Sequence, residues 1–210
     1  MAELMDLERW FSVERLTPDV RARPDLSSKA ADLYAWNAEV GAAFWRTLGH
    51  VEVLLRNAIN GRLEDWSTRM YGDAWWYLAL SHLFDRRTRA DIDEARRRAT
   101  RTGRSETVGR VVAELNFGFW RYLVASRYDR SLWRTILFRA FPGTSRREVE
   151  RHLAALHLLR NRIAHHEPIH LLDLAELRVL TLALASWVDA GAATWIAGGD
   201  SVGRLLRARP

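Results

Sequence analysis

The sequence predicts an all-α protein, and three observations lead to that prediction. The chain contains 5 prolines and 12 glycines in 210 residues, so few positions break a helix. Apolar residues recur at steps of three and four, the spacing of one helical face, and few segments alternate with the period of a strand. Residues that favour helix ends separate several of these segments. We expect one domain over 1–210, with 1–26 as an N-terminal helix and connector and 191–210 as a C-terminal extension.

The first helix is expected over residues 1–16, which have an amphipathic pattern. Pro18 should end it, because proline lacks the N–H that a helix interior needs. Residues 21–26 are polar, contain proline and read as the connector. Ser27 or Ser28 is the predicted N-cap of the helix that follows.

A long helix is expected over about residues 28–69. Its polar side holds Glu52, Arg56 and Asn60 at four-residue steps. This polar row is either an exposed set of ion pairs or the wall of a polar pocket shared with Arg160. The apolar side forms one continuous stripe, made of Trp36, Val40, Phe44, Leu48, Val51, Leu55, Ile59, Leu63 and Trp66.

Further helices are expected after an aromatic segment at 71–83 that contains Trp75, Trp76 and Tyr77. Such a cluster is typical of a core or an interface more often than of a surface that stacks bases. Ser145 and Glu148 have the spacing of a capping box, and so do Asp173 and Glu176. The predicted helices are 86–104, 105–127, 129–141, one opened by Ser145, 173–187 and 200–209.

The charge of the chain permits nucleic-acid binding without indicating it. The net charge is +6, and Lys29 is the only lysine among 32 basic residues. A guanidinium offers a planar fork of donors that matches phosphate oxygens, so the preference for arginine can reflect phosphate recognition. A GC-rich genome produces the same preference without any functional cause.

An arginine-rich segment at 86–104 holds eight arginines and three acidic residues. Runs of charge are usually solvated helical faces, but a basic face can also contact the RNA backbone. Both interpretations stay open. The candidates for RNA contact are Arg96, Arg97, Arg98 and Arg101.

We expect a soluble, cytoplasmic protein. The sequence has no apolar run of eighteen residues, and residues 1–10 carry acids where a secretory signal would be basic and then apolar. The absence of cysteine removes disulfides, thiolate metal sites and thiol catalysis. We expect no cofactor, no metal and no membrane partner.

The helix opened by Ser145 carries the most informative residue, Arg160. Its apolar stripe runs through Val149, Leu153 and Leu156 to Ile163, and Arg160 lies within this stripe. A guanidinium that faces a core is costly unless it is paired, so the pattern predicts a carboxylate or a phosphate beside Arg160. Glu52, or Glu167 from a second chain, could supply the carboxylate.

His165 follows Arg160 by five residues, which places it about 140° further round the same helix. Pro168 disfavours helical angles at Glu167, so the turn that carries His165 and His166 could already be unwinding. The alternative, which we favour, is a site built from two chains across a two-fold axis.

The letters of a zinc-protease motif, H-E-x-x-H, also occur, from His166 to His170. That chemistry needs both histidines on one face of a helix. Pro168 lies between them and costs a helix about 3 kcal/mol, so we reject a zinc site.

Arg160, Asn161 and His165 form a motif that resembles the R-x4-6-H signature of the HEPN superfamily. The wider pattern resembles the Abi-like, or abortive-infection, branch of that superfamily, which occurs in bacterial phage-defence and toxin–antitoxin loci. The segments that carry this resemblance are 11–16, 33–37, 52–57, 117–120, 132–133 and 160–168.

The resemblance implies a HEPN-like helical bundle that dimerises and cuts RNA without a metal. Arg160 would stabilise charge on the phosphate, His165 would activate the ribose 2′-hydroxyl, and Asn161 would orient either group. His166 would act as the acid or as a support. Glu52, Arg56 and Glu167 would be supporting residues.

Three functions stay open at this point. The first is a metal-independent endoribonuclease that acts as a toxin or phage-defence effector, with a protein antitoxin or a small RNA as inhibitor. The second is an RNA-binding or interaction module without catalysis. The third is a toxin–antitoxin component that a partner nucleotidyltransferase modifies.

Overall fold

Helices make up all the regular secondary structure in residues 4–22 and 27–210, the ranges that the computed structural model describes; for residues 4, 27 and 28 it describes the backbone alone. The all-α prediction is therefore confirmed. Short 3-10 turns and one π-helical turn lie among the longer helices. The α-helices are α1 (Leu4–Phe11), α2 (Val13–Ala22), α3 (Ser27–Tyr71), α4 (Trp76–Ala79), α5 (Arg86–Thr100), α6 (Val108–Glu114), α7 (Phe117–Leu123), α8 (Arg146–Ala164), α9 (Leu174–Val188), α10 (Ala190–Gly199) and α11 (Val202–Arg207).

The long helix α3 is the axis of the fold. It has 45 residues, which is about 68 Å at 1.5 Å per residue, and it packs against α2, α4, α7, α8, α9, α10 and α11. The predicted apolar stripe is buried except at its last residue, Trp66, which is partly buried. Leu55, Ile59 and Leu63 are fully inaccessible. Gly41 on α3 lies under the end of α8, where its Cβ position is 3.9 Å from a methyl of Ile163. The helix α3 therefore packs against the part of α8 that carries Arg160.

The N-terminal prediction is wrong in two places. Ser12 has a positive φ of 77° and separates α1 from α2, so residues 4–16 are not one helix. Pro18 lies inside α2 instead of ending it. The helix continues although proline has no N–H to donate to the preceding turn. Arg21 and Ala22 belong to α2 as well. The rest of the expected connector, 23–26, and the capping side chains of Ser27 and Ser28 lie outside the described residues.

The predicted helix at 105–127 is also wrong, because it is two helices. Thr107 rather than Ser105 caps α6, with its side chain accepting from the Arg110 backbone N–H. Asn116 then interrupts the chain and caps α7 by accepting from the Phe119 backbone N–H, at 3.0 Å. A side chain that competes for backbone donors in this way favours a helix end over a helix interior. The break places the start of α7 beside α8.

Two further segments differ from the expected pattern. Residues 129–141 form a π-helical turn (Asp129–Trp133) and a 3-10 turn (Leu137–Ala140) in place of an α-helix. Helix α10, with Asp189 as its N-cap, was not predicted, because the sequence offers little apolar periodicity there. The predicted helices at 173–187 and 200–209 correspond to α9 and α11.

The aromatic segment after α3 belongs to the core. Trp76 is fully buried and Tyr77 is 2% exposed. The indole Nε1 of Trp76 donates to Oδ1 of Asn60 at 2.8 Å. Asn60 of α3 therefore satisfies the polar group of a core tryptophan. Among the described helices, none is long and apolar enough to cross a membrane.

Candidate active site

Helix α8 presents Arg160 to the interior of the protein. The predicted capping box is confirmed: the Ser145 side chain accepts from the Glu148 backbone N–H, and the Glu148 carboxylate accepts from the Ser145 backbone N–H. Leu156 lies one turn before Arg160, and Leu159 directly precedes it. Both leucines are fully buried. The position of Arg160 on this helix therefore follows from packing.

The guanidinium of Arg160 is partly buried and forms no ion pair within 4.0 Å with a carboxylate of the described residues. Its Nε is buried and has no hydrogen-bond partner among the described residues. Its central carbon lies 5.2 Å from the ring centre of Trp45, the geometry of a cation–π contact. Within residues 4–22 and 27–210, no ion pair within 4.0 Å joins it to Glu52, and Glu167 instead pairs with Arg162 at 3.7 Å. Arg160 thus packs on the face of Trp45, and its Nε–H group remains available to a ligand.

Glu52 nevertheless shares the environment of Arg160. Burial raises the pKa of Glu52, while the charges of Arg160 and Arg56 and the backbone N–H of Phe117 offset part of that rise. Asn60, the third member of the predicted polar row, faces away: its amide binds Glu64 at 3.2 Å and Trp76. The structure therefore places Glu52 within the electrostatic range of both Arg160 and Arg56, whereas the contacts of Asn60 are with Glu64 and Trp76.

A small cavity of about 160 Å³ lies in front of Arg160. On α8, His157, Arg160 and Asn161 line it, at positions i, i+3 and i+4 of one helical face. The start of α7 forms the opposite wall, with Asn116, Phe117 and Gly118. We call this cavity, with its six lining residues, the Arg160 pocket. Sequence reasoning did not select His157 or Asn116, although the spacing of His157 relative to Arg160 was a visible signal.

The electrostatics of the Arg160 pocket are strongly basic. Burial lowers the pKa of His157, and the positive charges of Arg121, Arg160 and Arg87 lower it further. The Nε of Arg121, like that of Arg160, is buried without a hydrogen-bond partner in the described part of the chain. Arg160 lines the cavity and the charges of Arg121 and Arg87 reach His157 in its wall, so this positive charge favours the binding of an anion.

Helix α8 ends immediately after this pocket. The backbone N–H of Glu167 donates to the carbonyl of Arg162 at 2.8 Å, and that of His166 donates to the carbonyl of Ile163 at 3.0 Å. These two bonds are the Schellman arrangement, in which the residue after the C-cap is left-handed. His166 occupies that position with a φ of 55°, where glycine is usual. A histidine here stores backbone strain at the candidate site.

Replacing His166 by glycine is expected to raise the free energy of unfolding by about 1 kcal/mol, because glycine has no Cβ to oppose a positive φ. His166→Ala is the matched control, since alanine also lacks the imidazole but keeps the Cβ. Urea denaturation of both variants measures the effect. Equal gains from glycine and alanine would show that backbone strain at His166 is not the cause.

His165 and Arg160 do not meet within one chain. His165 is the C-cap of α8, and His165, His166 and Glu167 are all exposed. His165 does not line the Arg160 pocket. The helix stays regular to Ala164, so the angle of about 140° between the two side chains is preserved.

The segment after α8 is anchored by Asn37 of α3. Its Oδ1 accepts from the backbone N–H groups of Ile169 and His170, at 2.8 and 3.1 Å. His170 is buried, with Nε2 3.2 Å from Oδ1 of Asp19 but without hydrogen-bond alignment. His166 is exposed on the other side of Pro168, so the two histidines of the H-E-x-x-H letters do not share a face. The described residues contain no cluster of three or more His, Asp or Glu side chains that could hold a metal.

The arginines of the second candidate surface are mostly ion-paired. Arg96 pairs with Glu106 at 2.8 Å, and Arg98 pairs with Glu114 at 3.2 Å. Arg97 also pairs with an acid of its own helix. Arg101 is exposed at the end of α5. These contacts favour a solvated, ion-paired helix face over an RNA-binding one.

Comparison of the chain with protein-family models, with curated proteins and with solved structures finds no match. A proposal for the function therefore rests on the Arg160 pocket, on the end of α8 and on the resemblance of their residues to the R-x4-6-H motif.

Proposed function

We propose that this protein is a metal-independent endoribonuclease of the HEPN type that acts as a toxin or phage-defence effector. The observation that carries the proposal is the Arg160 pocket. It holds a partly buried guanidinium whose Nε has no hydrogen-bond partner in the described part of the chain, and the charges of Arg121 and Arg87 act on His157, which lines the same cavity. A phosphodiester is the ligand whose oxygens suit such a set of donors.

The proposed reaction is the attack of the ribose 2′-hydroxyl on the adjacent phosphorus. Arg160 stabilises the negative charge that grows on the phosphate oxygens. Asn161, which lines the same cavity, orients the phosphate or the proton-transfer group. His165 supplies proton transfer at the exposed end of α8, and histidine is the side chain best suited to that task near neutral pH. His166 supports this segment.

A site completed by a second chain would bring His165 to the phosphate. Two large apolar side chains flank the motif and are exposed: Leu158 is 54% exposed and Leu171 is 62% exposed. Exposed apolar groups beside a functional segment are typical of an interaction surface. A two-fold arrangement of α8 ends would cover both and place the His165 of each chain opposite the Arg160 of the other.

Mixing two inactive variants tests the composite site. Arg160→Ala and His165→Ala are each expected to be inactive alone, and their mixture, after subunit exchange, is expected to recover about a quarter of the wild-type rate. The reason is that about half of random dimers are mixed, and each mixed dimer has one intact pair of residues. A mixture that stays inactive while the wild type cleaves RNA would place each site within a single chain.

An RNA-binding module without catalysis is the second candidate, and the separation of His165 from the Arg160 pocket favours it. This alternative predicts RNA binding that weakens steeply with salt, and no cleavage by the wild type in EDTA or in magnesium. Gel-shift and cleavage assays on the same preparation separate the two functions.

A further inference from the structure

His157 lines the Arg160 pocket, where an aromatic contact positions its imidazole. Its ring stacks on Phe117, with centroids 6.0 Å apart and planes 12° apart. Among the described residues, no hydrogen bond engages either ring nitrogen. The stacking fixes the plane of the imidazole, while its nitrogens stay available to a ligand.

Gly118 keeps the space in front of His157 open. A Cβ added at Gly118 would lie 3.1 Å from Nε2 of His157 and 3.1 Å from Oδ1 of Asn116. Contacts this short are tighter than ordinary van der Waals packing, so a larger residue would press on the imidazole. The glycine thus lets the backbone of α7 approach Nε2 and leaves the cavity accessible.

Burial favours the neutral form of His157, which a base requires, and the nearby charges act in the same direction. Arg121 on α7, Arg160 on α8 and Arg87 on α5 all disfavour the imidazolium. Glu52 interacts with Arg160 and with the backbone of Phe117, and it is not among the groups that shift the pKa of His157. The resulting shift lowers the pKa of His157 from 6.5.

We propose that His157 is the base of the reaction at the Arg160 pocket, a role that rests on the proposed function. Nε2 of His157 takes the proton of the 2′-hydroxyl as the 2′-oxygen bonds to phosphorus, and the bond from phosphorus to the 5′-oxygen breaks. The departing 5′-oxygen takes a proton from His165 of the second chain, which then acts as the acid. The products are a 2′,3′-cyclic phosphate and a 5′-hydroxyl, and every proton is accounted for.

The test is the pH dependence of kcat for RNA cleavage by the full-length protein. The wild type should lose activity as the pH falls below 6.5, because His157 must be unprotonated and its pKa is lowered from that value. His157→Gln should reduce kcat by about 100-fold or more and remove this acidic limb. His82→Gln, at an exposed histidine, is the control and should change neither.

A second variant tests the same role with His157 intact. Gly118→Ala should lower kcat by crowding Nε2. Gly49→Ala should not, because none of the described residues lies within 4 Å of the Cβ that this change adds. An NMR titration of the His157 ring with inorganic phosphate gives a readout besides activity: bound phosphate should raise the pKa of His157, and Arg160→Ala should abolish the change.

The outcomes separate the two proposals. If the wild type cleaves RNA and His157→Gln cleaves it equally fast with the same acidic limb, the role of His157 is overturned and the endoribonuclease stands. If the wild type cleaves no RNA, both fall.

Discussion

Replacing Arg160 by alanine is expected to lower the rate of RNA cleavage by about 10²–10³-fold, the usual cost of removing a donor that stabilises charge in a transition state. The effect should be large because the guanidinium already lies in the pocket, with its face on Trp45 and with an Nε that no described residue engages in a hydrogen bond. Little reorganisation is then needed when the phosphate becomes more negative. Single-turnover cleavage of a labelled RNA measures the change.

Arg160→Lys should recover only part of this loss. Lysine keeps the charge but lacks the planar fork of donors and the stacking on Trp45. Arg147→Ala is the matched control, because Arg147 is an exposed arginine of the same helix. Equal losses in the Arg160 and Arg147 variants would mean that general charge, and not the pocket, drives cleavage.

Replacing Trp76 by alanine is expected to cost about 3–5 kcal/mol of unfolding free energy. Trp76 is fully buried, contacts Tyr77, Phe84 and Trp120 edge-on or tilted, and its Nε1 donates to Asn60. The change creates a cavity and leaves the Asn60 oxygen without its donor.

Trp195→Ala is the matched control for that experiment. Trp195 is 68% exposed, and its loss should change the unfolding free energy by about 0.5 kcal/mol or less. Chemical denaturation of both variants measures the difference. Similar costs for the two tryptophans would contradict the assignment of the aromatic segment to the core.

Sequence patterns predicted the parts of the fold that local chemistry determines. The α3 stripe, the capping box at Ser145 and the N-cap at Asp173 depend on neighbours a few residues apart, and they are confirmed. For the box predicted at Asp173 and Glu176, the bond observed is the one that the Asp173 side chain accepts from the Glu176 backbone N–H. The predictions at Pro18 and Asn116 were wrong because the effect of either residue on a helix depends on its surroundings in the fold. The helix continues through Pro18, and a single capping side chain at Asn116 ends one helix and begins another.

The candidate site was predictable only along α8. The apolar stripe placed Arg160 towards the interior, and the helical angle separated it from His165. The contact with Trp45 and the wall formed by Gly118 depend on how α3 and α7 pack against α8. Those contacts are long-range, so no spacing in the sequence indicates them.

The most direct test of the central claim is the incubation of the pure protein with a defined RNA in EDTA, followed by analysis of the cleaved ends. If RNA is cleaved at the Arg160 pocket, we expect fragments with 2′,3′-cyclic phosphates and 5′-hydroxyls. The Arg160→Ala variant should not produce these fragments. Intact RNA, or fragments that Arg160→Ala produces equally fast, would contradict it.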